Sequence, residues 1–334
     1  METKGSESAF RRYLKVILGV IIGGVSLYLA LRNVSFQEFT KALIDADYSY
    51  LAWALVSVAI NTLAKSTRWQ VLLGKQGSGV SLRQNIMVLL AGQALNTLYP
   101  ARIGDLTRAY LIGNLGPGKV FVLGTIILEK LLDMLLYTLL FLLLLLLLPL
   151  PDWINKSVYS VTSITLVGLL LVFIVSYRVE SFVQLFEKLI ARFPGKMAER
   201  AMDWIRSGLA SFAVFKEQGE LVKLAGWSVI VWATAILTNH LTLLALNIQL
   251  PITASILVLV VLQVSLSLPS IPGRIGVFEY LCVLSLAVFG IGQASAFTYG
   301  ILLHIVALLP STLLGLVFLS IFGLQEKALT KVKS

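Results

Sequence analysis

Charge is scarce in this chain: only 13% of its 334 residues are Asp, Glu, Lys or Arg, while 57% are hydrophobic. A water-soluble domain carries about 25% charged residues, and half that share cannot cover a soluble body of this size. The shortage excludes a cytosolic enzyme and a disordered regulator. Cysteine is nearly absent as well. The single one, Cys282, lies in the apolar run Tyr280–Phe289, which excludes a disulfide scaffold and a Cys-x-x-Cys metal site. Histidine is limited to His240 and His304, both in apolar segments and read as polar contacts between helices. No spacing of His, Cys and carboxylates suggests a metal, and no cofactor is expected. What is present is long apolar sequence, with a mean hydropathy of +0.88 and a net charge of +10. In so apolar a chain a basic balance reads as membrane topology, not as nucleic-acid binding.

The expected fold is an all-α polytopic membrane protein. Apolar runs near the roughly 20 residues that cross a hydrocarbon core occur at Val16–Leu31, Leu51–Ala64, Val120–Leu148, Val158–Tyr177, Leu221–Asn247 and Ala296–Phe322. They predict about six full spans, the first uncleaved because no small-residue cleavage site follows it. Two further apolar regions, Gln84–Gly113 and Pro251–Ile291, are interrupted by Pro, Gly and Arg. Broken helices at membrane depth are tolerated only where protein or a water-filled cavity surrounds them.

Lys and Arg mark cytoplasmic loops. With the N-terminus inside, twenty of the 27 basic residues fall on the cytoplasmic side, Lys65 and Arg68 among them. Arg32, Lys41 and Lys156 fall outside, and Arg102, Arg108, Lys130 and Arg274 lie in apolar segments. Both termini are therefore expected in the cytoplasm, with the chain in the inner (plasma) membrane. Residues 178–220 are the one sizeable polar stretch. Phe182, Leu185, Phe186, Leu189, Ile190 and Phe193 recur there at helical spacing opposite Lys188, Arg192, Lys196 and Arg200. This predicts two amphipathic helices on the anionic inner leaflet, divided at Pro194–Gly195.

The two interrupted regions share a short sequence. Pro100-Ala101-Arg102-Ile103-Gly104 corresponds to Pro272-Gly273-Arg274-Ile275-Gly276; each follows a stretch containing Gln (Gln93, Gln263) and precedes one carrying an acid (Asp105, Glu279). The first is entered from the cytoplasmic side and the second from outside. They therefore predict two re-entrant or broken hairpins in an inverted repeat, an arrangement found in many transporters. Residues 1–334 form one integral membrane domain, with a first repeat unit at 51–148, the amphipathic segment at 178–220 and a second, inverted unit at 221–322. Residues Asn85–Tyr99 are too few to cross at about 1.5 Å per residue; the second region has longer arms.

At each break proline ends one helix and glycine frees the backbone for the next. An arginine stands between them that cannot readily lose its charge. The new half-helix then offers free N–H groups and a positive dipole end beside a guanidinium, a setting for an anion and above all for phosphate. The candidate substrate-binding residues are Arg102, Arg108, Arg274, Asn96, Gly104 and Gly276. In the competing reading each arginine pairs with a nearby acid and holds the break together. The intramembrane acids Asp105, Glu129, Asp133 and Glu279 are the candidates for ion pairing or coupling. Glu129 and Asp133 share a helical face and are placed to relay protons or to receive Arg102 or Arg108. Arg68–Trp69 fits an interfacial anchor at the cytoplasmic end of the second span.

These motifs resemble a known family. Arg68-Trp69, then Asn96-x-x-x-Pro100-x-Arg102-x-Gly104-Asp105-x-x-Arg108, then Glu129-x-x-x-Asp133, and later Pro269-x-x-Pro272-Gly273-x-x-Gly276-x-x-Glu279 look like the lysylphosphatidylglycerol synthase transmembrane region, also called flippase-like or UPF0104. The family often has Glu where Asp105 stands here, so the charge is kept. The resemblance implies movement of lipids with charged or phosphate-bearing head groups between leaflets, and partner enzymes of lipid or glycan biosynthesis. The aminoacyl-transferase domain of the bifunctional members is not expected, so lipid lysylation is not carried over.

Three functions compete. A flippase would bind an anionic lipid head group near Arg102, Arg108 and Arg274 and leave the tails in the bilayer. A proton- or ion-coupled transporter of a small water-soluble anion would use the same architecture. A membrane-embedded enzyme such as a lipid-linked glycosyltransferase has only Asp45 and Asp47 to support it, with no Gly-rich phosphate loop or metal cluster. The expectation is a transporter, not an enzyme.

Overall fold

The computed structural model describes residues 18–32, 34–99, 102–148, 162–168, 170–171, 174–175, 177–190, 196–264 and 272–333, and among these every regular element is helical. The chain runs through α1 (Leu18–Leu31), α2 (Phe36–Ile44), α3 (Tyr48–Leu73), α4 (Leu82–Leu98), α5 (Ile103–Gly113) and α6 (Lys119–Leu147). It continues with α7 (162–168), α8 (Val179–Ile190), α9 (Lys196–Ala210), α10 (Gln218–Ala245), α11 (Ile252–Val264), α12 (Val277–Ala287) and α13 (Gln293–Lys333).

The helix starts follow local chemistry. The Ser35 hydroxyl accepts the Glu38 amide to begin α2, and the Asp47 carboxylate accepts the Ser49 amide to begin α3. At α4, Ser81 and Gln84 close a reciprocal capping box. Gly74 ends α3 at φ 51°, in the region glycine enters without a Cβ penalty.

Among the described residues three helices are long and apolar enough to cross a bilayer: α6, α10 and residues Gln293–Gly323 of α13. The α1–α2 pair, bent by 80°, adds a fourth candidate. Of the six spans expected from sequence, the described residues show three, or four with the bent pair. Of the expected span 158–177, only α7 and scattered helical residues are described.

Helix α3 has the length, roughly 39 Å at 1.5 Å per residue, but not the apolarity. Ser57, Asn61, Ala64 and Arg68 recur at helical spacing and are all buried. They face α10, where Ser57 Oγ donates to the Thr234 carbonyl at 2.8 Å. Asn61 Nδ2 donates to the Val231 carbonyl at 2.6 Å. In lipid, small and hydrogen-bonding residues join helices, so the polar stripe is the packing face. Lys65 and Arg68, assigned by the charge pattern to a cytoplasmic loop, lie inside this helix, and the Arg68 side chain is wholly buried.

Of the three apolar cores among the described residues, two are the largest. One gathers Trp69, Leu72, Val88, Ile112, Phe121 and Leu128 from α3 to α6. The other gathers residues of α11, α12 and α13, among them Leu257, Cys282 and Tyr299. Helix α4 joins the two halves: it packs on α5 and also on α13 and on the turn Pro272–Arg274. At the α4–α13 crossing a Cβ on Gly315 would lie 2.2 Å from the Leu90 carbonyl oxygen, so only glycine permits that approach. The amphipathic helices expected in 178–220 are present as α8 and α9, with the Pro194–Gly195 divide outside the described residues.

Candidate functional site

Both Pro-x-Arg-Ile-Gly sequences are breaks, and the two arginines share an unusual backbone. Arg102 caps α5 at φ 51°, and Arg274 precedes α12 at φ 59°. Among the described residues the only other non-glycine with positive φ is Asn247. An L-residue with a long side chain enters this region at a cost of roughly 1–2 kcal/mol. Pro100, Ala101 and Pro269 lie outside the described residues.

In the first break Asn96 of α4 is the clasp. Its side-chain oxygen accepts the Gly104 amide at 2.8 Å, and its Nδ2 donates to Asp105 Oδ1 at 3.1 Å. The same contact requires glycine twice. A Cβ on Gly104 would lie 1.9 Å from the Gly92 carbonyl oxygen, and one on Gly92 would meet the Arg108 side chain at 2.6 Å. In the second break the Gly276 amide donates to Glu279 Oε2 at 2.6 Å, a Gly-x-x-Glu capping box. The expectation that both half-helices start with free N–H groups is therefore corrected at Gly104 and Gly276. A side chain of the protein already accepts each of those amides. What these starts offer an anion is the charge of the arginines beside them.

Arg108 is buried in an ion network. Its Nη2 donates to Glu129 Oε2 at 2.6 Å, Nη1 lies 3.7 Å from Asp105 Oδ1, and its guanidinium stacks 4.0 Å above the Trp69 ring. Lys130 Nζ approaches the same Asp105 oxygen at 4.0 Å. Asp133, one turn along from Glu129, pairs with Arg68 Nη1 at 2.8 Å, not with Arg102 or Arg108. Trp69 is fully buried and donates its indole N–H to Thr125 Oγ1 at 3.1 Å. Arg68–Trp69 is therefore a core element linking α3 to α6 and α5, where an interfacial anchor was expected. Nothing in the local sequence reveals the partner, because Asp133 lies 65 residues away.

Glu279 is buried and receives His304 Nδ1 of α13 at 2.6 Å, and the imidazole lies 4.4 Å from the Phe278 ring. His240 contacts Ser255 Oγ at 3.1 Å, joining α10 to α11. Both histidines make polar contacts between helices, as read from sequence. Among the described residues no group of three or more His, Cys, Asp or Glu is placed to hold a metal.

The structure thus brings Asn96, Gly104, Asp105, Arg108, Glu129 and Asp133 into one connected cluster, and sets Gly276 and Glu279 in another. Between the halves stand Arg102, exposed, and Arg274, half-buried. Pro272–Arg274 rests against α4, and the charge of Arg102 acts on Arg274. Sequence reasoning missed Arg68 and His304 as members of these clusters. The helical spacing of Ser57, Asn61, Ala64 and Arg68 was a usable signal for the first. His304 had none, since its partner lies on another helix.

Residues 16–315 match the family model described as the lysylphosphatidylglycerol synthase TM region. A UPF0104 membrane protein of Methanothermobacter thermautotrophicus is 24% identical, over 94% of this chain and 98% of its own length. The UPF0104 membrane protein PH1989 of Pyrococcus horikoshii is also 24% identical, over 91% of this chain and 95% of its own. No solved structure matches. With 300 of its 334 residues inside that match, the chain belongs to the lysylphosphatidylglycerol synthase transmembrane-region family of membrane proteins.

Proposed function

We propose that this protein is a transporter that moves a lipid or lipid-linked carrier with an anionic, phosphate-type head group between the leaflets of the plasma membrane. In this reading both termini are cytoplasmic, and the two broken regions are inverted repeats that rock about the head group. The observation that carries it is the meeting of the breaks. Two arginines with left-handed backbones come within electrostatic range of each other where α4 touches Pro272–Arg274. Like charges held together repel, and an anion between them relieves the repulsion. Strained backbone at both arginines is the kind of outlier that collects at ligand clamps. Arg108 is held by Glu129 and Asp105, so its role here is to hold α5 against α6.

The test is reconstitution of the full chain in liposomes carrying fluorescent phosphatidylglycerol, phosphatidic acid or phosphatidylcholine. Losing one charge-assisted contact costs about 1.5 kcal/mol or more, so Arg102→Gln plus Arg274→Gln should slow the anionic lipids at least about tenfold. Phosphatidylcholine should move little in either protein. Unchanged movement of the anionic lipids would overturn the assignment. Release of trapped inorganic phosphate without lipid movement would give the site to a small water-soluble anion.

A further inference from the structure

The second break contains a buried carboxylate whose hydrogen-bond partners are neutral or titratable groups, and this distinguishes it from the first. Around Glu129 and Asp133 each carboxylate faces an arginine. Glu279, with a side chain only 2% exposed, receives the Gly276 amide on Oε2 and His304 Nδ1 on Oε1. Among the described residues no Lys or Arg forms an ion pair with it.

The surroundings of the pair are poor in charge. On α12 the titratable neighbours are Tyr280, half-buried and next in sequence, and Cys282, buried one turn on, where the Glu279 charge reaches it. On α13 it is Tyr299, whose hydroxyl donates to Asn239 Oδ1 of α10. Helix α11, packed on α12, has no ionisable residue. The sole charged residue of α4 is Arg83, in its first turn. Helix α2 meets α13 through Phe39 and Phe297 and keeps Glu38 and Lys41 exposed. Helix α10 offers His240, already in contact with Ser255, and the charges of α3, Lys65 and Arg68, belong to the Asp133 network. From α1 the Gly276 turn meets backbone and Leu27.

We propose that Glu279 and His304 form a proton-binding site that couples protonation to the position of Arg274. This deepens the transporter reading and rests on it for the link to transport. A 2.6 Å contact between Nδ1 and Oε1 holds one hydrogen; with the carboxyl ionised and that hydrogen on an otherwise neutral imidazole, the pair carries a net charge of −1. A lone buried charge is costly, and taking one proton from water brings the pair to zero with no other bond changed. The proton, on imidazole or carboxyl, withdraws negative charge from the oxygen that accepts the Gly276 amide. That amide is the first donor of α12 and lies two residues from Arg274. Weakening the cap loosens the turn that holds the arginine.

The experiment uses the full chain in liposomes, with two readouts taken between about pH 5 and about pH 8, the range in which histidine pairs titrate. Infrared difference spectra report protonation of the pair directly. Movement of fluorescent phosphatidylglycerol reports the coupling. Wild type should show a carboxyl or imidazole difference signal and a severalfold change in lipid movement over the same range. Both should vanish in Glu279→Gln and in His304→Gln. The histidine variant keeps a donor for the carboxylate and carries the test if the glutamate variant does not fold. A signal that persists in both variants overturns the site, and a pH dependence of movement that survives in them overturns the coupling. A wild type that titrates but moves no lipid at any pH refutes the transporter reading and leaves the proton site standing.

Discussion

Removing one member of the Arg108–Glu129 pair should destabilise this protein far more than removing both. The two side chains are 3% and 6% exposed and touch at 2.6 Å, so neither charge has water to fall back on. Deleting one partner of such a pair costs about 3–5 kcal/mol, whereas replacing both by apolar groups is often close to neutral. The two single variants should differ. Glu129→Gln leaves Arg108 with Asp105 at 3.7 Å and its Trp69 stack, placing it at the lower end. Arg108→Met strands Glu129 among apolar neighbours, with only the more distant charges of Lys130 and Arg68 to offset it. It also removes a cation–π contact of roughly 0.5–2 kcal/mol. For a chain of this size each kcal/mol moves Tm by about 1.4 °C. The single variants should therefore melt at least about 4 °C lower, and Arg108→Met plus Glu129→Met close to wild type. Cys282 supplies the assay: it is the chain's one cysteine, fully buried and far along the chain, so a thiol-reactive dye in detergent reports melting. Single variants melting within about 1 °C of wild type, or a double variant melting below both, would refute the reasoning.

Gly104→Ala should lower Tm by the equivalent of about 1–3 kcal/mol, because the new methyl group would sit 1.9 Å from the Gly92 carbonyl oxygen; an unchanged Tm would mean that α4 and α5 do not approach so closely. Asn96→Ala removes the acceptor of the Gly104 amide and should cost about 1 kcal/mol, visible as a loss of Tm that Asn96→Asp partly restores. Asp47 caps α3, and hydrogen bonds from the Ser49 hydroxyl and amide hold its carboxyl below its ordinary value. A lowered value means stabilisation that is present above the ordinary carboxylate range and is lost as pH falls through the lowered one. The melting curves of wild type and Asp47→Ala should therefore separate at neutral pH and converge in acid; a gap independent of pH would contradict this.

The elements that could be read from sequence were those decided by local chemistry. The apolar run Val120–Leu148 became α6 at Lys119–Leu147, and the paired Pro-x-Arg-Ile-Gly sequences became two breaks with the same arginine backbone. Most of the failures involve partners distant in sequence. Arg68 resembled a topology marker because its carboxylate lies on α6, and only the buried polar stripe of α3 shows that this helix turns its charge inward. The amide of Gly276 was expected to be free although Glu279 stands at capping-box spacing three residues later, a local signal that was available. The amide of Gly104 was harder to read, since its acceptor, Asn96, lies on the far side of the break. Hydropathy registers apolar content, whereas polar helices such as α3 owe their place to packing against α10.

The central claim is that an anionic head group is held where the two breaks meet. Native mass spectrometry of the full chain, purified from membranes and then offered phosphatidylglycerol and phosphatidylcholine in equal amounts, tests it without requiring transport. The account predicts selective retention of the anionic lipid by wild type and by Lys41→Gln, a control outside the clusters. It predicts loss of that selectivity in Arg102→Gln plus Arg274→Gln. Equal retention of phosphatidylglycerol by wild type and the double variant would contradict it.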